Sequence, residues 1–319
     1  MRNPKSHLLR SAAVLVSVGF IAAGCSSGSD SDEASGGGGG TALEGVSVTV
    51  GSKDFTENIV LGEILAQALA AEGADVKNQT NLGGTSVNRT ALLSGDIDVY
   101  PDYNGTGWTV HLGQQDPSFD PQELFDQTAE MDLADNNIKW AGLSPFNDTY
   151  GFTAGPALVE AEGAFDLQGM ADYLAATPDA SVCMETEFPD RPDGLVLFEE
   201  ATGYTVPDSQ IQILDTGLIY TETANGACTF GEVFTTDGRI EALDLTLVED
   251  PGVFILYNAS YTWDADHFGE NAETYQGIVD QIFAPLDEAK MASLNYQVDI
   301  EDESAEDVAA AYLQEIGLA

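Results

Sequence analysis

Short runs rich in β-branched and apolar residues alternate, from residue 46 onward, with stretches whose apolar positions recur every three or four residues. Residues 46–50 read as a strand. Residues 56–71 then carry Val60, Leu61, Ile64, Leu65, Ala68 and Leu69 at helical spacing and stop at Gly73. Residues 76–80 are again strand-like, 86–94 helical before Gly95, and 97–100 another strand. The alternation resumes after Tyr150, with strands expected at 182–184, 211–214, 233–234 and 245–248 and a helix at 194–202. Beyond residues 254–257 the pattern turns helical, over 272–283, 286–295 and 305–316. Such alternation predicts an α/β protein with mostly parallel sheets. Two α/β units and a helical tail imply two lobes with a cleft between them: lobe 1 from 46–146 with a return of 256–319, and lobe 2 from 147–255, hinged near Pro145 and Phe254.

The first 45 residues follow a different logic. Arg2, Lys5 and Arg10 precede an apolar run of 13 residues, 11–23, and Ala22-Ala23-Gly24 stands just before Cys25. The run is too short to span a bilayer and reads as a secretory signal over 1–24. The pattern resembles a bacterial lipobox, which implies a lipid on Cys25 and attachment to the outer face of the cell membrane. A plain cleavable signal would give no reason for a cysteine at that place. Residues 25–45, rich in Ser, Asp and Gly, read as a flexible tether.

Charge narrows the partners. With 54 acidic and 10 basic residues in 319, the net charge is −44, which excludes nucleic acid and anionic membrane faces as electrostatic partners. Loss of residues 1–24 would bring it to −47 and leave seven basic residues: Lys53, Lys77, Arg89, Lys139, Arg191, Arg239 and Lys290. Cys183 and Cys228 in an exported chain read as a disulfide, with two buried free thiols as the alternative. The three histidines, His7, His111 and His267, lie far apart in sequence, so no metal is expected. From residue 46 onward there is no Gly-x-Ser-x-Gly elbow or phosphate loop; neither an enzyme nor a cofactor is expected.

In a two-lobed α/β protein, ligands meet the loops at the carboxyl ends of the strands. Here those loops are 51–57, 82–86, 100–108, 147–150, 187–194 and 234–237, and they hold the scarce cations Lys53 and Arg191 together with several aromatic rings. Taken alone, such a ring is more often a partly buried packing residue than a ligand contact. Six motifs occur in order: Gly51 to Glu57, Leu82-Gly83-Gly84-Thr85, Tyr100 to Gly107, Asn147-Asp148-Thr149-Tyr150, Arg191-Pro192-Asp193-Gly194 and Thr236-Asp237-Gly238-Arg239-Ile240. Together they resemble the solute-binding lipoproteins of ABC importers for glycine betaine, choline and related quaternary amines.

That resemblance implies a type II periplasmic-binding-protein fold and an aromatic cage for a quaternary ammonium group. The cage positions fall on Tyr103, Tyr150, Phe234 and Tyr257, with Phe234 standing where relatives commonly carry Tyr. Lys53, Thr106 and Arg191 would meet the carboxylate of the ligand, and Glu187 would help hold the lobes together. Asp237 and Arg239 would form a structural pair beside the cage. The implied partners are a small quaternary ammonium ligand and a membrane permease, with the receptor acting as a monomer. Two cations in the cleft favour glycine betaine, proline betaine or carnitine over choline. A non-transport surface lipoprotein, and a receptor for another small cationic solute, are the alternatives to be tested.

Overall fold

A computed structural model describes residues 42–318. The apolar leader, Cys25 and most of the tether lie outside the described residues. Among the described residues ten strands form two five-stranded sheets. The strands are β1 (Ser47–Gly51), β2 (Asp75–Gln79), β3 (Val99–Tyr103), β4 (Ile138–Ala141), β5 (Tyr150–Ala154), β6 (Val182–Met184), β7 (Ile211–Ile213), β8 (Phe230–Phe234), β9 (Thr246–Leu247) and β10 (Ala259–Asp264). The first sheet has the order β2-β1-β3-β10-β4 and the second β7-β6-β8-β5-β9.

The expectation of mostly parallel sheets needs correction. In each sheet two neighbouring pairs are parallel and two antiparallel. The cause is the double crossing of the chain. β10 enters the first sheet on its return from the second and runs antiparallel to both β3 and β4. Likewise β5, the first strand after the outward crossing, opposes both β8 and β9.

The two crossings, 142–149 and 248–258, are tied side by side. Ser144 N donates to Ala259 O at 2.8 Å and Asp148 N to Tyr257 O at 3.1 Å. Thr149 Oγ1 donates to Ile255 O at 2.6 Å, and Tyr257 N donates to Asn147 Oδ1 at 2.6 Å. Backbone groups there are satisfied without a sheet, as buried amides require. Gly105 is packed against this pair: a methyl group at its Cα would lie 2.4 Å from Leu256 O.

Helix Thr56–Ala71 has the bounds its periodicity predicts, and all six apolar positions named above are buried. It is covered by the C-terminal helices Glu288–Asp299 and Ala305–Ile316, which explains why so apolar a helix has almost no polar face. In the second sheet Cys183 is bonded to Cys228, with Cα atoms 5.7 Å apart. Among the described residues no helix is long and apolar enough to cross a membrane.

Candidate functional site

Strand ends supply the rings. Tyr103 is the last residue of β3, Tyr150 the first of β5 and Phe234 the last of β8, while Tyr257 lies two residues before β10. Antiparallel register sets Tyr150 directly opposite Phe234. Cross-strand neighbours stand close enough for ring contact, and their centroids are 5.3 Å apart. Tyr150 also meets Tyr257 edge-on at 5.2 Å, and Tyr257 meets Tyr103 at 6.4 Å.

A fifth ring closes the circuit. Phe55, at the N-cap of helix Thr56–Ala71, stacks on Phe234 at 4.9 Å and faces Tyr103 at 6.1 Å. The five contacts run Phe55, Phe234, Tyr150, Tyr257, Tyr103 and back to Phe55. A regular pentagon with sides of about 5.6 Å has its centre about 4.7 Å from each vertex, inside the ~6 Å over which a ring face attracts a cation.

These rings line one cavity of about 620 Å³ that also receives Lys53, Thr106, Glu187 and Arg191. The structure therefore brings all eight cleft residues singled out from the sequence to a single hollow. The stretch 100–108, expected to be a glycine-containing loop, instead comprises all but the first residue of β3, a helical turn over Asn104–Thr106 and the start of a wide turn over Gly107–His111. Pro101 has no N–H to give the ladder, and its carbonyl accepts from the Asn58 side-chain amide at 2.9 Å.

Both cations have buried acidic partners that the sequence reading did not name. Lys53 Nζ lies 2.8 Å from Asp102 Oδ1, and Asp102 is fixed from its other side by the Tyr100 hydroxyl at 2.5 Å and His111 Nε2 at 2.7 Å. Burial alone would raise the Asp102 pKa, but the charges of Lys53 and then His111 outweigh it and hold the carboxyl far below its usual range. Arg191 grips Asp193 with Nε and Nη2, each at 2.8 Å. Its Nη1 reaches Thr85 Oγ1 at 3.3 Å and its Nη2 reaches Thr106 Oγ1 at 3.2 Å. Such pairing removes much of each cation's net charge while fixing the directions of its remaining N–H groups.

Glu187 does two things. Its Oε1 accepts from Thr85 N at 3.0 Å, at the start of helix Thr85–Ser94, and its Oε2 lies 3.6 Å from Arg191. A carboxylate from the second sheet is thus seated on a helix N-terminus of the first, where the aligned peptide dipoles favour it. The chain reaches that helix through Gly83, whose φ of +132° is open to glycine and strained for other residues. Thr109 Oγ1 and the Tyr257 hydroxyl add two further contacts to Asp193, at 2.7 and 2.6 Å.

Opposite this group, Arg239 is chelated by Asp237 and lies 3.4 Å from Asp299, with its guanidinium 4.2 Å from the Tyr220 ring centroid. Asp237 and Arg239 do form a pair, and Arg239 in addition lines the cavity wall. Burial pushes Asp299 up to about 6, and burial reinforced by the neighbouring Glu187 does the same for Glu185. Among the described residues no group of three or more His, Cys, Asp or Glu side chains is arranged to hold a metal ion.

Residues 46–315 match the family described as the substrate binding domain of ABC-type glycine betaine transport systems. The chain belongs to this family. It is a substrate-binding component of an ABC transport system, and members of the family are binding proteins of transporters. Among its relatives, the glycine betaine-binding protein YehZ of Escherichia coli K12 is 30% identical over 281 residues, covering 85% of this chain and 90% of that one. The glycine-betaine-binding protein of Pseudomonas aeruginosa is 32% identical over 273 residues, covering 83% and 86%. The solved apo structure of YehZ superimposes with a TM-score of 0.60 at 28% identity, over 85% of this chain and 99% of that one. The fold is accordingly the two-lobed periplasmic-binding type that the sequence motifs implied.

Phe55, Glu57, Asp102, Asp148 and Asp193 were not singled out from the sequence, although each lies inside one of the six motifs. The available signal was position. They sit one to four residues from a residue that was named, on the same strand-end segments.

Proposed function

We propose that this receptor binds a quaternary ammonium compound in the five-ring circuit and delivers it to a membrane permease. The closed circuit of Phe55, Tyr103, Tyr150, Phe234 and Tyr257 carries the reading. A trimethylammonium group has no N–H to donate, so hydrogen bonds cannot select it. Its diffuse charge is attracted to ring faces, at up to about 2 kcal/mol for each desolvated ring. Five walls, even with strong non-additivity, suffice for the roughly −8 kcal/mol of a micromolar complex.

The ligand's polar end would meet Lys53, Thr106 and Arg191, which line the same cavity, with Lys53 Nζ 5.2 Å from the Tyr103 ring centroid and the Arg191 guanidinium 5.5 Å from that of Tyr150. Glycine betaine, proline betaine and carnitine supply a carboxylate there and are expected to bind ahead of choline. The names of the two bacterial relatives agree with a betaine. Lobe 1, residues 46–146 with 256–319, would close on lobe 2, residues 147–255, about the paired crossings. The contacts of Glu187, Arg191 and Asp193 with Thr85, Thr106 and Thr109 would form only on closure. The receptor would work outside the cytoplasm as a monomer, tethered through a lipid on Cys25 by the spacer 25–45.

Isothermal titration with glycine betaine, proline betaine, carnitine and choline tests this. At least one betaine should bind, more tightly than choline, and Tyr150→Ala should weaken it at least about tenfold. Circular dichroism of the variant checks that it remains folded. Absence of binding across the panel would overturn the function, and unchanged affinity in Tyr150→Ala would remove that ring from the site.

A further inference from the structure

Beneath the rings, two buried carboxyl groups contact one hydroxyl. Thr236 Oγ1 lies 2.7 Å from Glu57 Oε2 and 2.5 Å from Asp148 Oδ1. A threonine hydroxyl has one hydrogen and can donate to only one of them. The remaining contact joins two oxygens at hydrogen-bond distance, so it requires a second hydrogen, and a carboxyl group is the only one of the three able to supply it. The other partners indicate which. Glu57 Oε1 accepts from the Tyr103 hydroxyl at 3.0 Å and Oε2 from Asn295 Nδ2 at 3.2 Å, the surroundings of an anion. Asp148 has, besides the Thr236 hydroxyl, the Thr236 amide at 3.4 Å and the Glu57 carboxyl itself, a partner it can meet only as a donor. The arrangement is Asp148 O–H to Thr236 O–H to ionised Glu57.

The link bridges the two sheets. Glu57 lies in helix Thr56–Ala71 on the first sheet, Thr236 follows β8 of the second, and Asp148 lies in the first crossing. We propose that the closed receptor binds one proton together with its solute, held in the Asp148–Thr236–Glu57 link. This rests on the proposed closure of two lobes around a solute in the cage. Opening would withdraw Thr236 from Glu57 and admit water, and the pair would then release its proton to solvent at neutral pH. Closing takes a proton up from the buffer. Burial raises both carboxyl pKa values, and the Glu57 charge raises that of Asp148 further, in the sense the link requires.

The sign follows from linkage. A carboxyl whose pKa is raised in the closed state favours closure below that pKa, and the advantage is lost as pH rises through it. With one proton taken up, affinity falls by up to about tenfold per pH unit between the ordinary carboxyl range of the open state and the raised pKa of the closed one. The other charged or titratable groups facing the link are Tyr103, raised by burial, and the Asp237–Arg239 pair with Asp299. Across the cavity Glu185 and Glu232 form a second buried acidic pair that also titrates. The wild-type pH slope therefore does not by itself identify the link, and a variant is needed.

The experiment is calorimetric titration of a betaine into wild type and Asp148→Asn at several pH values from 5 to 8, in buffers of different ionisation enthalpy. Asparagine donates Nδ2–H to Thr236 at every pH and so replaces the acid proton. Wild type should take up about one proton more per solute than Asp148→Asn, whose log Kd should be correspondingly flatter against pH. Equal proton numbers in the two proteins overturn the proposal. Difference infrared spectroscopy of the solute-bound against the solute-free receptor reads the same proton: a carbonyl band of a protonated carboxyl should appear on binding at neutral pH in wild type and be missing in Asp148→Asn. Binding of a betaine with no such band overturns the proton link and leaves the ligand class standing, whereas a panel in which nothing binds overturns the ligand class and the link with it.

Discussion

Phe55 is the residue through which two parts of the site are joined. It caps a helix of the first sheet's layer, yet its ring stacks on Phe234 of the second sheet. Replacing it by leucine keeps an apolar side chain of similar reach and removes the π face. Phe55→Leu is expected to weaken binding of a quaternary ammonium solute by about 5- to 30-fold, the loss of one ring of ~1–2 kcal/mol. Calorimetric titration measures this, and an unaltered Kd would mean that Phe55 only packs. At this scale the sequence was informative about rings and cations and silent about their partners. Scarcity made Lys53 and Arg191 conspicuous among seven basic residues, whereas Asp102 and Asp193 are two acids among 54. Nothing in a chain so acidic distinguishes a buried carboxylate from a solvated one.

Elements were legible where they are amphipathic or long. The helices Thr56–Ala71, Ala272–Phe283 and Ala305–Ile316 have the bounds that periodicity gives. β4, β5 and β10 were not read as strands, for a physical reason. β5, Tyr-Gly-Phe-Thr-Ala, is buried at every position, and β10, Ala-Ser-Tyr-Thr-Trp-Asp, at all but the last. A strand covered on both faces has no polar alternation to show. Their Gly, Ser and Thr residues also hide them from a search for apolar runs. The antiparallel half of each sheet was lost with them, and with it the register that sets Tyr150 against Phe234. The crossings are equally exacting. Gly105→Ala would drive a methyl group against Leu256 O, a backbone atom held by its neighbours, and is expected to cost about 1–3 kcal/mol of stability. Denaturant unfolding gives the value, and an unshifted midpoint would show that the crossing yields.

The molecule as a whole carries −44, far beyond what its few ion pairs offset. Self-repulsion of that size opposes any compact state, and salt relieves it by shortening the screening length from about 10 Å at 0.1 M to about 3 Å at 1 M. Raising sodium chloride over that range should raise the melting temperature, by roughly 2–4 °C for each kcal/mol of repulsion removed. A calorimetric midpoint flat in salt would mean that the charges are compensated locally.

One feature of the first sheet reaches beyond binding. β10 lies between β3 and β4, although about 155 residues separate it from the one and about 117 from the other. During synthesis or export the second sheet, contiguous over residues 150–247, can assemble from what has already emerged. The first cannot; until residues 259–264 arrive it has an empty slot between two unpaired edges, each a template for a foreign strand. The nascent protein thus exposes its most association-prone surface for most of its passage, and the last fifth of the chain ends that exposure.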